Sequence, residues 1–175
     1  MSTRAEEILD VAEEVLERVG ADAFGVGELA RALGIKPPSL YKHFDGVDGI
    51  VHALISRGLR RLGSALGGAT DLAGFVRAYR SHALAAPQLY RLSTDRPIDR
   101  DRLEPGAELA GMRALLDLFG EDAADHPRAR AAWAWAHGLV SLEIAGRFPD
   151  GADLQSSWDV LVAVLATETT GGAPG

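Results

Sequence analysis

The chain has 175 residues, no cysteine and a formal net charge of −7, and it lacks any apolar run of the ~18–20 residues that a membrane helix needs. That length can bury a sizeable core as one large or two small domains, and the missing cysteines exclude disulfides and thiolate metal sites. A soluble, cytoplasmic protein is expected, and its acidic balance argues against a generic polyanion binder, so any nucleic-acid footprint has to be local.

Thr3 and Glu6 form a T-x-x-E capping box, which predicts a first helix from there to about Val19, with Gly20 as terminator. Its acids Glu6, Glu7, Asp10, Glu13, Glu14 and Glu17 leave Ile8, Ala12, Val15, Leu16 and Val19 to pack inward, and the charge run reads as a solvated face. Val26, Leu29, Ala30 and Leu33 hold the i, i+3, i+4, i+7 spacing of a second helix, ended by Gly34. A third helix must begin almost at once. Pro37 and Pro38 suit its first turn, Leu40 and Phe44 face inward, and Ser39, Tyr41, Lys42 and His43 point outward.

Two short helices joined by a tight Gly-containing turn form a helix-turn-helix pattern, whose second helix enters the DNA major groove. Spacing alone also fits a short helix pair within an α bundle. The local basic footprint is small and focused: residues 1–50 carry ten acids and five bases, yet Leu29 to Phe44 has Arg31, Lys36 and Lys42 and no acid. The expected DNA-contacting residues are Lys36, Pro37, Pro38, Ser39, Tyr41, Lys42 and His43. Ser39 and the prolines would face bases, and Tyr41, His43 and the lysines would mainly hold phosphate.

After Asp45 or Gly46 a long helix is predicted, with Val51, Leu54, Ile55, Gly58, Leu59, Leu62, Ala65 and Leu66 in helical period, ended by Gly67 to Thr70. Asp71 begins another, carrying Leu72, Phe75, Val76, Tyr79, His82 and Ala83 and broken at Pro87. Ser93 to Gly106 reads as a solvated loop, and a helix follows from about Ala107 to Phe119, stopping at Gly120.

Pro127 opens the most apolar segment, in which Glu143 is the only charge between Ala131 and Gly146, with Arg147 as its i+4 partner. Trp133, His137, Val140 and Ile144 form one face of this helix, and Trp135, Leu139, Leu142 and Gly146 another. A small domain cannot cover both, so a partner subunit is expected. The last helix, about Leu154 to Thr167, repeats the pattern with Trp158, Leu161, Val162 and Leu165. Two such helices from each subunit would make a four-helix homodimer interface from Trp135, Leu139, Leu142, Gly146, Trp158, Leu161, Val162 and Leu165. Thr169 to Gly175 reads as a frayed tail.

From Thr3 to Leu54 the chain resembles the N-terminal domain of TetR-type transcriptional regulators. Arg4, Ile8, Ala12, Gly20, Phe24, Leu29-Ala30, Gly34, Leu40-Tyr41 and His43-Phe44 sit where that pattern has them. The resemblance implies that Arg4 can reach backbone phosphate. Two positions depart: Gly25 stands where the family has a capping Ser or Thr, and Val47 where it has a Lys that touches phosphate at the start of the fourth helix. Further along, Ala85 to Leu92 together with Trp133, His137-Gly138-Leu139 and Leu142-Glu143 resemble the WHG-type C-terminal domain of one branch of TetR-like regulators.

The expectation is thus an all-α protein: a three-helix DNA-binding domain at 1–46, joined by a long helix to a ligand-binding and dimerisation bundle at 47–175. It would bind a palindromic operator in double-stranded DNA as a homodimeric repressor and respond to a small apolar effector, without a cofactor, a metal or a membrane. An effector pocket would draw on Tyr79, His82, Tyr90, Trp133 and His137, with His82 or His137 as polar anchor; otherwise these are core or interface residues. None of His43, His52, His82, His126 and His137 pairs at i, i+4 with another His, and no nucleophile or phosphate-loop motif occurs. Two rivals remain: a small-molecule binding protein with a vestigial DNA domain, and a helical enzyme in which His82 or His137 converges with Glu143.

Overall fold

In the computed structural model, which describes residues 3–120 and 127–167, Thr3 Oγ1 accepts the Glu6 N–H while Glu6 accepts the Thr3 N–H, closing both halves of the capping box. Helix α1 runs Arg4–Val19, α2 Val26–Leu33, α3 Gly46–Leu66, α4 Leu72–Ala85, α5 Pro87–Thr94, α6 Ala107–Phe119, α7 Pro127–Ile144 and α8 Leu154–Thr167, with 3-10 segments at Pro37–Lys42 and Arg100–Arg102. The described residues contain no strand. His126 and the expected tail from Thr169 lie outside the described residues.

Contacts divide the chain into two compact units, residues 1–61 with 86–108 and residues 62–85 with 109–175. This differs from the division at residue 46 expected from sequence. The physical reason is the first core: Ile50, Val51, Leu54 and Ile55 of α3 pack with Ile8, Ala12 and Leu16 of α1, Leu29 and Ala30 of α2, and Leu40. Leu89 and Leu92 of α5 join the same cluster, and Leu103 packs against it.

Two sequence expectations change here. Ser93 to Gly106 is not simply a solvated loop: Ser93 and Thr94 complete α5, and the Glu104 N–H donates to the hydroxyl of fully buried Ser56 at 2.9 Å. The acids of α1 are not all idle either. Arg57 donates to Asp10 at 2.6 Å and lies 3.5 Å from Glu13, which also pairs with Arg61. Acids placed beside an arginine-bearing helix become interhelical ties, a role that a single-helix pattern does not display.

In the second unit α4, α7 and α8 pack against one another. Phe75, Val76, Tyr79 and Ala83 of α4 are buried, as are Ala129, Ala132, Ala136 and Val140 of α7. Glu143 is not held by Arg147 as expected: Arg80 grips both its oxygens, Nη2 to Oε1 at 2.7 Å and Nε to Oε2 at 3.0 Å, and the Trp158 indole N–H reaches it at 3.4 Å. Gly63 lets α3 approach α6 closely, since a Cβ there would lie 2.2 Å from the Ala110 carbonyl oxygen.

Trp158, Leu161 and Leu165, expected on a subunit interface, are buried inside this unit, so they cannot also present an outer face. Val162 is half-buried. Trp133, grouped by period with Val140, is exposed instead. The inward stripe of α7 is made of small alanines, which permit close helix approach and leave the large rings outside.

Candidate nucleic-acid interface

The expected DNA-reading segment is set up by the end of α2. Gly34 adopts φ 64, ψ 28, and the Gly34 and Ile35 N–H groups bond Arg31 O at 3.2 Å and Ala30 O at 3.0 Å. This paired pattern satisfies the last carbonyls of α2 and turns the chain sharply. Lys36 is then extended (φ −78, ψ 141), the conformation that a residue before proline prefers.

The segment Pro37–Lys42 is a 3-10 helix rather than the expected α-helix. Pro37 and Pro38 have no N–H, so the first available donor is Ser39, which bonds Lys36 O at 2.9 Å, three residues back. The His43 N–H repeats that spacing to Leu40 O at 3.0 Å, and Gly46, at φ 66, lets the chain swing into α3. Too few residues separate the two turns for the α pattern to become established.

Leu40 is buried in the core shared with α1, α2 and α3, and Phe44 packs against it. That anchoring faces the remaining side chains outward: Lys36, Pro37, Pro38, Lys42 and His43 are exposed, Tyr41 is 57% exposed and Ser39 is half-buried. The seven expected contact residues thus lie on the segment Pro37–Lys42 and its two flanking residues, Lys36 and His43. Arg31 belongs to the same basic run but is paired with Glu28, and that hydrogen bond and charge hold the Glu28 carboxyl below its ordinary value. The i, i+3 spacing of Glu28 and Arg31 carried that signal in the sequence. Arg4 is ion-paired with Glu7 at 2.9 Å. Gly25 caps α2 in extended conformation without a side-chain bond, and Val47 lies in the first turn of α3.

The expected effector residues are Tyr79, His82, Tyr90, Trp133 and His137. Tyr90 is buried in the first unit and the other four belong to the second. Tyr79 is buried and stacks on Phe75 at 5.7 Å, His82 is half-buried, and the exposed Trp133 stacks on His137 at 6.1 Å. A groove of about 230 Å³ lies between α4 and α8, lined by Val76, Arg77, Arg80, Gln155, Trp158 and Val162 among others. None of Tyr79, His82, Tyr90, Trp133 and His137 lines it. Within it Arg80 lies over the Trp158 ring at 5.6 Å and donates to Gln155 at 3.2 Å. No cluster of His, Asp and Glu that could hold a metal ion occurs among the described residues, and no helix there is long and apolar enough to cross a membrane.

The family model for bacterial regulatory proteins of the tetR family matches residues 8–54, and that for the tetracyclin repressor-like C-terminal domain matches residues 72–165. An uncharacterised HTH-type transcriptional regulator of Mycobacterium tuberculosis is 34% identical over 159 residues, covering 83% of this chain and 72% of that protein. The regulatory protein SCO4313 superposes with a TM-score of 0.75 at 29% identity, over 93% of this chain and 95% of its own. A TetR variant from Acinetobacter baumannii, crystallised in complex with minocycline, shares the fold at a TM-score of 0.67 and 17% identity, over 99% and 100% of the two chains. These relatives are regulators, not enzymes.

Proposed function

Because the chain belongs to the TetR family of DNA-binding transcriptional regulators, we propose that it acts as a homodimeric repressor of a palindromic operator and is released by a small effector. The observation that carries the DNA half is the anchored segment Pro37–Lys42, with Leu40 buried and Tyr41 exposed beside Lys36, Lys42 and His43. Ser39 and the prolines face base edges, while Tyr41, His43 and the lysines hold phosphate.

The dimer half rests on apolar side chains left outside: Trp135 (36% exposed) and Leu142 (45%) on α7, one heptad apart, and Val160 and Val164 on α8 at i, i+4. Two helices from each subunit would cover these faces as a four-helix interface around a two-fold axis, and the same axis would present two reading segments to a symmetric site. This replaces Trp158, Leu161 and Leu165 by Val160 and Val164 as the α8 contribution.

An effector that prefers one arrangement of the dimer changes operator affinity by its differential binding; about 100-fold preference supplies about 2.7 kcal/mol, enough to switch occupancy. The groove between α4 and α8 offers such an effector the apolar side chains of Val76 and Val162 together with the charged Arg77, Arg80 and Asp159. Selection of the purified protein against random duplex DNA at near-physiological salt tests the reading. Enrichment of an inverted repeat supports it, and the half-site spacing fixes the separation of the two reading segments. A folded protein that enriches nothing overturns it in favour of a small-molecule binder with a vestigial DNA domain.

A further inference from the structure

We propose that Arg31 is a further phosphate-holding residue of the DNA-binding unit and that Glu28 is its positioning residue: the Glu28 carboxylate competes with phosphate for the guanidinium and so sets how much sequence-independent affinity the protein has. The inference rests on the DNA-binding half of the reading above.

Gly27, Arg31 and Gly34 are exposed at i, i+4, i+7, one solvent-facing stripe that runs along α2 to its C-cap. A Cβ built at Gly27 or at Gly34 would meet nothing within 4 Å, so Arg31 carries the one long side chain of that stripe. The first helix of a helix-turn-helix crosses the DNA backbone, and the Arg31 carbonyl accepts the Gly34 N–H at the start of the turn into Lys36. Arg31 therefore stands at the joint between the helix that crosses the backbone and the segment that reads bases.

No acid occurs from Leu29 to Phe44, and Glu28 is the residue just before that run. Its carboxylate accepts from Arg31 Nη1. Long helical side chains lean toward the N-terminus, so a guanidinium at position 31 lies over the turn that carries position 28. The hydrogen bond and charge of Arg31, with a smaller pull from the charge of Arg18, hold the Glu28 carboxyl below its ordinary value, so it is ionised and competes at neutral pH.

The pair is open to water, with Arg31 73% and Glu28 37% exposed. Exposed pairs of this kind are weak, whereas guanidinium and phosphate form charge-assisted bonds in a matching fork geometry. Phosphate can thus take the guanidinium at small cost, and the carboxylate left behind is the cost. Arg57 of the same unit differs: its side chain is only 16% exposed and is tied to Asp10 of another helix.

The competition is read by titrating labelled duplexes, the inverted repeat enriched by selection and a random-sequence duplex of equal length, at several salt concentrations. The proteins are the wild type, Glu28→Gln, Arg31→Ala and the double variant, each checked for an unchanged helical spectrum. Glu28→Gln, which keeps the shape and removes the charge, is expected to raise affinity about fivefold at low salt, the scale of an exposed pair. The gain is the same on both duplexes, since phosphate carries no sequence. In the Arg31→Ala background the same change is expected to raise affinity less than about twofold, because the two positions act through one contact. Arg31→Ala made on top of Glu28→Gln flattens the dependence of log affinity on log salt by about one unit.

A gain of equal size with and without Arg31 overturns the competition, because Glu28 then merely repels DNA. The absence of any gain overturns it too, as does a salt slope that Arg31→Ala leaves unchanged. A gain confined to the enriched repeat overturns the phosphate assignment in favour of a base contact. In each of these cases the wild type still prefers its repeat, and the regulator reading stands. A wild type that enriches no repeat but shows the expected cycle on random duplex overturns the regulator reading and supports the competition. A wild type that binds no duplex overturns both.

Discussion

Helix α1 sets Glu6, Glu7, Asp10, Glu13, Glu14 and Glu17 apart from a buried stripe of Ile8, Ala12, Val15 and Leu16, whereas α7 hides Ala129, Ala132 and Ala136 and leaves Trp133, Trp135 and Leu142 exposed. In α1 the side chains that avoid water and those that seek it lie on different sides, so transfer free energy alone orients the helix. In α7 Glu143 is the only charge from Ala131 to Ile144, and orientation falls to shape. Small alanines go where α4 and α8 press close, and the large rings take the side with room. The contrast underlies the two proposals: the exposed tryptophan on an apolar helix is assigned to a subunit interface, and the exposed tyrosine beside Lys36, Lys42 and His43 to DNA.

The sharpest test of that contrast replaces the exposed apolar side chains of α7. Trp135→Glu with Leu142→Glu is expected to convert a dimer into a folded monomer by light scattering and to lower operator affinity at least 100-fold, because a monomer engages one half-site. A variant that stays dimeric would place the interface elsewhere.

Next in size is the buried tie between the helices. Glu143→Ala leaves the Arg80 guanidinium, whose side chain is 23% exposed, without its carboxylate. The cost is expected at about 2–3 kcal/mol, below the range for a fully buried pair because water reaches Arg80 in part. Urea denaturation reads it as a lower midpoint at unchanged slope. Arg80→Met, which removes the buried charge along with the pair, is expected to cost less.

On the DNA side the effects are smaller and leave stability untouched. Tyr41→Ala is expected to weaken operator binding about tenfold, or ~1.4 kcal/mol, with the thermal midpoint unchanged because the ring is exposed. Equal affinity for wild type and variant would remove Tyr41 from the interface. Smallest is a gain: Val47→Lys restores the cation that the resemblance implies at the start of α3, and should steepen the dependence of log affinity on log salt by about one unit.

How far the sequence could be read follows from the same contrast. The capping box at Thr3 and Glu6, the Gly34 turn, the long helix from Gly46 to Leu66 and the break at Pro87 are local signals, each set by one residue's donor, acceptor or allowed φ, and they were legible directly. So was the set of residues gathered on the Pro37–Lys42 segment, because Leu40 and Phe44 pin its inner side. The 3-10 geometry of that segment was legible only in part, since the absence of two donors is a sequence fact but the length available between flanking turns is not.

The amino-acid order by itself therefore determined the bounds of α1, α2, α3, α6 and α8, which faces of α1 and α2 turn inward, and that the chain reads as a TetR-type regulator. Only the tertiary structure decided that Glu143 pairs with Arg80 rather than with Arg147, that Glu17 caps α5, that Arg57 and Arg61 gather the acids of α1, and that Trp158, Leu161 and Leu165 lie inside while Val160 and Val164 lie outside. The physical reason is range. Capping and turn preferences act over three or four residues and are written in adjacent positions, whereas the partner of a charge or of an all-apolar helix face is set by which distant helix packs beside it.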